Sequence, residues 1–193
     1  MGLIEKPIAL DPGAGGCSIG LSALQMADII VSTTSATVSG VIRAGTGAVV
    51  SHAALYAGSG EVIEAIGKGV TDRTIDESLE EDVLAVAYRS PDLPPALALA
   101  IIKFASLQLG TPYSVAGALL SSRKIACRIA GPRPSSFFCS QLVIESYAKG
   151  GRALTALPSQ CATPDDIVEI AAHKLRYVGH LKGNAAWFPV LSP

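Results

Sequence analysis

Hydrophobic and polar residues fall in short, strand-like runs up to about residue 90 and recur at helical spacing after it. Asp28-Ile29-Ile30-Val31-Ser32 is rich in β-branched residues and reads as a short buried strand. His52 to Ala57 and Glu61 to Ile66 flank Gly58-Ser59-Gly60, which is the signature of a hairpin. A third short strand is expected over Gly69 to Thr71. A helical turn capped by Thr74 or Asp76 then runs through Glu81, and Val83 to Tyr88 returns as a strand. Beyond Pro91, Leu97, Ala100, Ile101, Phe104 and Leu107 share one face of an amphipathic helix that Gly110-Thr111-Pro112 ends. A second helix opens near Cys139, carries Leu142, Val143, Ser146 and Tyr147 on one side, and stops at Gly150-Gly151. Thr163-Pro164-Asp165-Asp166 starts a third, with a capping Thr, Pro at the first position and acids in the first turn. Lys174 to Leu181 is the last strand. Residues 1–26 are Gly-rich and weakly patterned and are expected as an arm on the domain. Ala36 to Ala44 predicts a short helix, and residues 121–137, with two prolines and four basic residues, an exposed loop. The expectation is one α+β domain over 27–193, an antiparallel sheet packed against helices.

Composition narrows the partners. At 193 residues, 49% hydrophobic and 16% charged, the chain can bury a core and is not disordered. A net charge of −1 with no basic run argues against nucleic acid or an anionic membrane as the main partner. No apolar stretch is long enough to span a bilayer, so no integral membrane segment is expected, and no classical signal peptide is visible. Cys17, Cys127, Cys139 and Cys161 lie in no CxxC pattern and near no paired histidines, which predicts no metal site and no cofactor. They are expected as reduced thiols of a cytoplasmic product.

Among the cysteines, Cys139 stands apart because it opens a helix. There the dipole and the unpaired N–H groups favour a thiolate, and the same N–H groups can bind an oxyanion. His52 is a polar intruder at the start of an apolar strand, and Glu64 a carboxylate inside Val62-Ile63-Glu64-Ala65-Ile66. If the hairpin loop holds an odd number of residues, Ala54 pairs with Glu64, and His52 and Glu64 project from one face as diagonal neighbours. A two- or four-residue loop would part them. His173, at a helix end, and His180, in the last strand, are weaker candidates.

With these pieces in view, the chain resembles a known family. Ser51-His52-Ala53-Ala54-Leu55-Tyr56-Ala57-Gly58, Val62-Ile63-Glu64-Ala65, Gly110-Thr111-Pro112-Tyr113-Ser114 and Phe138-Cys139-Ser140-Gln141-Leu142-Val143 are similar to the circularly permuted, YiiX-like branch of the NlpC-type papain-like cysteine peptidases, over about residues 27–150. In that branch the His strand precedes the Cys helix. The resemblance implies a permuted papain-like fold, Cys139 as nucleophile, His52 as base, Glu64 as the polar third residue, and Tyr113 beside the oxyanion site. It further implies amide hydrolysis through a thioester, with peptidoglycan peptides as substrate. An antibacterial effector exported by a dedicated secretion system, with an immunity protein as partner, would fit that substrate. Two rivals stay open: a lipid acyl hydrolase or acyltransferase of the lecithin:retinol acyltransferase type, whose acyl cleft the Leu97 to Leu109 helix would line, and a binding module without activity.

Overall fold

The structure, a computed structural model, describes residues 17–34, 50–121, 127 and 136–183. The predicted helix over Ala36 to Ala44 lies outside these residues, as does most of the predicted loop. Six strands are present among them: β1 Ile29–Thr34, β2 His52–Gly58, β3 Glu61–Ile66, β4 Gly69–Thr74, β5 Asp82–Arg89 and β6 Arg176–Lys182. They form one antiparallel sheet in the order β4-β3-β2-β1-β5-β6. Helices α1 Ile75–Ser78, α2 Pro95–Ser106, α3 Val115–Ser121, α4 Cys139–Lys149 and α5 Pro164–Lys174 complete the α+β architecture.

The period-two alternation of the strands sorts side chains to two faces. Ile29, Val31, Ala53, Leu55, Ile63, Ala65, Val86 and Tyr88 face α2, α4 and α5 and build the main core with Ile101, Leu142, Val143, Tyr147 and Ile167. Ile30, Ala54, Tyr56, Val62, Ala85 and Ala87 face the other way and are covered by Ile75 and Leu79 near α1 and by Leu24 from the N-terminal segment. That segment runs beside β6, where Ile19 N–H donates to the His180 carbonyl at 2.9 Å and His180 N–H to the Cys17 carbonyl at 2.8 Å. Arg89 grips the buried Asp28 carboxylate with two bonds of 2.7 and 2.6 Å and donates to the Ala23 carbonyl at 2.7 Å, so the entry to β1 is tied to the end of β5.

α4 is the central helix. All of Cys139 to Ile144, with Ser146 and Tyr147, is buried. Its close neighbour α2 is Ala-rich, and it does not use the face the apolar spacing predicts. Ala98, Ile101, Ile102 and Ala105 are buried, whereas Leu107 lies beyond the helix end and is 72% exposed. Small side chains explain the rotation, because the two helices approach until a Cβ on Gly150 would lie 2.4 Å from Ile101 Cγ1 and 2.8 Å from its backbone nitrogen. Thr74 caps α1, but the helix ends at Ser78 rather than Glu81. Thr163 caps α5, with Asp166 returning the bond to its N–H.

Two expectations about 121–137 and the cysteines are corrected. Helix α3 reaches Ser121, and Cys127 and Phe137 are buried, so the ends of that segment are packed and not an exposed loop. Cys127 is disulfide-bonded to Cys161, with Cα atoms 5.6 Å apart, where reduced thiols are the sequence expectation. The expectation of reduced thiols rests on chain size and on no visible signal peptide, and neither decides whether two cysteines 34 apart in sequence meet in the fold. Cys17 and Cys139 are free.

Gly150→Ala is expected to destabilise the protein by about 2–3 kcal/mol, because the obstacle includes backbone that cannot rotate away. Chemical denaturation of the two proteins measures it.

Candidate active site

His52 and Glu64 meet through strand register. Ala54 pairs with Glu64, Leu55 with Ile63 and Tyr56 with Val62. The turn itself has only two residues, Ser59 and Gly60, both at positive φ (54° and 84°), as a tight primed turn requires. Alone this would put His52 and Glu64 on opposite faces. A bulge at Ala57, before Gly58 at φ 102°, inserts one extra residue and restores the odd count. The expected pairing is therefore present, but it is reached by bulge plus turn and not by a three-residue loop.

The Glu64 carboxylate is 1% exposed and its hydrogen bonds come from three sides. His52 Nε2–H donates to Oε2 at 2.6 Å, Ser78 Oγ donates to the same oxygen at 3.0 Å, and Arg73 Nη1 donates to Oε1 at 3.1 Å. Arg73 also donates through Nη2 to the Glu77 carbonyl, which joins β4 to α1. With Nε2 so engaged, the other ring nitrogen of His52 is left for Cys139, whose thiol hydrogen-bonds the imidazole. Cys139 is the first residue of α4, after Phe138 in extended conformation. The N–H groups of Ala53 and Ser140 point at its sulfur. Ser140 Oγ–H donates to the Ala162 carbonyl at 2.8 Å and steadies this first turn.

The electrostatics follow from that chain. Burial pushes the Cys139 thiol up, but the His52 imidazolium and the two N–H groups outweigh it, and the thiol lies below its ordinary range. Burial works against the charged form of His52 as well, yet bonds to Cys139 and Glu64 raise it to about 10. Glu64, despite burial, is held below the usual carboxylate range by His52, with Ser78 and Arg73 adding to the effect. The favoured state is a thiolate–imidazolium pair. Tyr113, bridged to Phe137 just before α4, has its phenol pushed up by burial and by the negative charge of Cys139.

Cys139, His52 and Glu64 are thus brought together, with Tyr113 on the segment that leads toward α4. His180 instead lies buried in β6 with Tyr177 Oη on its Nδ1, and His173 is in the last turn of α5. Arg73 and Ser78 escape sequence reading, since an Arg on an edge strand and a Ser in a capped turn look like ordinary surface residues. The capping pair Thr74 and Glu77 is the local signal that α1 is anchored there. A cavity of about 350 Å³ opens beside His52 and Glu64, with Arg73, Ser78, Glu81 and Asp82 on its walls.

A helix-first cysteine against a strand-borne histidine, with the histidine earlier in the chain, is the arrangement of a permuted papain-like cysteine hydrolase. Residues 23–166 match the permuted papain-like amidase enzymes of the YaeF/YiiX, C92 family, and the chain belongs to that family. It is 26% identical over 196 residues to the probable lipoprotein peptidase YaeF of Escherichia coli K12, covering 82% of this chain and 71% of YaeF. Its fold is similar to the crystal structure of the metalloprotein yiiX from Escherichia coli O157:H7, with a TM-score of 0.63 at 16% identity over 82% of this chain and 98% of that one. In the present protein no three His, Cys, Asp or Glu side chains among the described residues are grouped to hold a metal ion.

The pair sets a pH profile. Because the Cys139 thiol is depressed, its alkylation by iodoacetamide is expected to rise at a pH below the ordinary thiol value of about 8.5. Because His52 is raised, the ion pair persists until pH approaches about 10, where the imidazolium loses its proton. At pH 6, His52→Ala should slow labelling of Cys139 on the order of a hundredfold, the ratio of a full to a residual thiolate population. Mass spectrometry of the labelled peptide, with Cys17 as internal reference, reads the result.

Proposed function

We propose that Cys139 is the nucleophile, His52 the acid–base and Glu64 the residue that orients it, and that the substrate is a peptide amide of bacterial peptidoglycan. The observation that carries this reading is the unbroken chain of hydrogen bonds from the Cys139 sulfur through the His52 ring to the Glu64 carboxylate.

In the first half-reaction the thiolate adds to the scissile carbonyl carbon. Negative charge moves to the carbonyl oxygen, where the N-terminal N–H groups of α4 and the Tyr113 hydroxyl serve as donors. The C–N bond breaks as His52 gives its proton to the departing amine, leaving a thioester and a neutral imidazole. In the second half, His52 takes a proton from water as the oxygen attacks the thioester. The C–S bond breaks, the acid product leaves, and the thiolate–imidazolium pair is restored. Net consumption is one water per amide.

The family's amidase chemistry and the peptidase name of YaeF favour a peptide over a lipid. Ala98, Ile101, Ile102 and Ala105 of α2, the element that would line an acyl cleft, are committed to the core, while Leu99 and the following Leu107 and Leu109 are exposed. The Cys127–Cys161 bridge suits an oxidising compartment, where the cell wall also lies, so work outside the cytoplasm fits better than a cytosolic role. Such work includes attack on a competitor's wall, from which an immunity partner would shield the producer.

Purified sacculi treated with the wild type should release new muropeptides, and Cys139→Ala should lower the rate by at least about a thousandfold. Phospholipid vesicles in parallel should yield no fatty acid. Cys139-dependent fatty-acid release with intact sacculi would transfer the activity to lipids.

A further inference from the structure

Glu64 brings a full negative charge to a site with 1% exposure, on the far side of His52 from the sulfur. Taken with the thiolate, that makes two anions around one imidazolium. A carboxylate so placed holds the imidazolium strongly, which helps the attacking thiolate but hinders deacylation, because water can be deprotonated only by neutral His52. The structure answers with a second cation. Arg73 lies 3.1 Å from the Glu64 oxygen that His52 does not use, and its other nitrogen is anchored on the Glu77 carbonyl of α1. That anchor is itself fixed: the Thr74 and Glu77 side chains cap α1 reciprocally, and Ser78 of the same turn donates to Glu64. Charges therefore alternate along the row, from Cys139 through His52 and Glu64 to Arg73.

We infer that Arg73 is a positioning residue that, from its bracket on α1, counterbalances Glu64 and so sets the pH window in which the Cys139–His52 pair operates. The inference rests on the proposed roles of Cys139 and His52. Other charged groups near His52 and Glu64 are Asp82 at the start of β5, which has a hydrogen bond from Ser32 and feels the charge of Lys182 from the end of β6, Glu77 of α1, and Glu80 and Glu81 after it. All of these carboxylates line the same cavity. Besides His52, Arg73 is the cation that touches Glu64 directly, and its one-third exposure moderates its effect without abolishing it.

The sign is definite. Removing a positive charge makes the thiolate less stable and the imidazolium more stable, so both limbs of the profile move to higher pH. In Arg73→Gln and Arg73→Met, two neutral replacements of different polarity at a partly exposed edge-strand position, each limb of Cys139 alkylation should move up by about 0.5–1 pH unit. NMR titration of the His52 ring in the intact protein should follow the upper limb. Arg73→Lys should return both limbs toward wild type. Ser78→Ala, which removes a hydrogen bond and no charge, should lower the rate with both limbs in place. A fall in rate with unmoved limbs in the neutral Arg73 variants, at unchanged thermal stability, would overturn the inference and leave Arg73 a structural brace. So would Arg73→Lys behaving like Arg73→Gln. If wild-type Cys139 labels slowly and His52→Ala changes nothing, the failure belongs to the underlying reading of the site.

Discussion

A carboxylate kept charged inside the protein is the constraint around which this molecule is arranged. Glu64 is all but sealed from solvent, and an unpaired charge there would cost several kcal/mol. It is tolerable because three donors, two of them cationic, converge on its two oxygens from β2, β4 and α1. Each of those elements is consequently held where it is. The bulge at Ala57 fixes the register of His52, the capping box fixes the turn bearing Ser78, and the edge strand presents Arg73. The imidazole is oriented by Glu64 on one nitrogen, and its other nitrogen is thereby committed to sulfur.

The placement of His52 at the first residue of its strand solves a second problem. By alternation it shares a face with Ala54, Glu64 and Val62, the face covered by α1, whereas α4 lies on the opposite face with Leu142 and Val143. A histidine in mid-strand could meet Glu64 or Cys139 but not both. His52 opens β2 and pairs with Ser32 of β1, while the β2–β3 ladder begins at Ala54 and Glu64, so the ring lies where that ladder stops. Cys139 is correspondingly the first residue of its helix, so the meeting point is an edge for both elements. The buried body of α4 and the contact of Gly150 with α2 fix where that first turn lies.

Much of this was legible in the residues, and the exceptions have physical causes. Strands β2 and β3, the helix starts at Cys139 and Thr163, and the polar intruders His52 and Glu64 follow from local periodicity and capping, which are properties of the chain alone. The two-residue turn with its bulge was not legible, because a bulge is decided by the fit of both strands and leaves the same residue types in place as a three-residue loop. Nor was the buried side of α2, since Ala-rich helices carry little contrast between faces, and Leu107 suggested a stripe that packing against Gly150 does not follow. Arg73 and Ser78 gain their meaning only from Glu64, a partner on another strand. The Cys127–Cys161 bridge joins distant segments and has no local signature at all.

The bridge and the charge row also bear on each other. Cys161 precedes Ala162, whose carbonyl receives the Ser140 hydroxyl, so the crosslink lies one residue from the group that steadies the first turn of α4. That turn directs the Ser140 N–H at the sulfur. A thiolate at a helix start is stabilised only as far as those N–H groups keep their aim, because dipolar stabilisation falls off within a turn. His52, Glu64 and Arg73 govern the sulfur's charge from the sheet, while the pinned start of α4 governs it from the helix. The two supports come from separate parts of the chain, 52–78 and 139–162, and the site exists only where they meet.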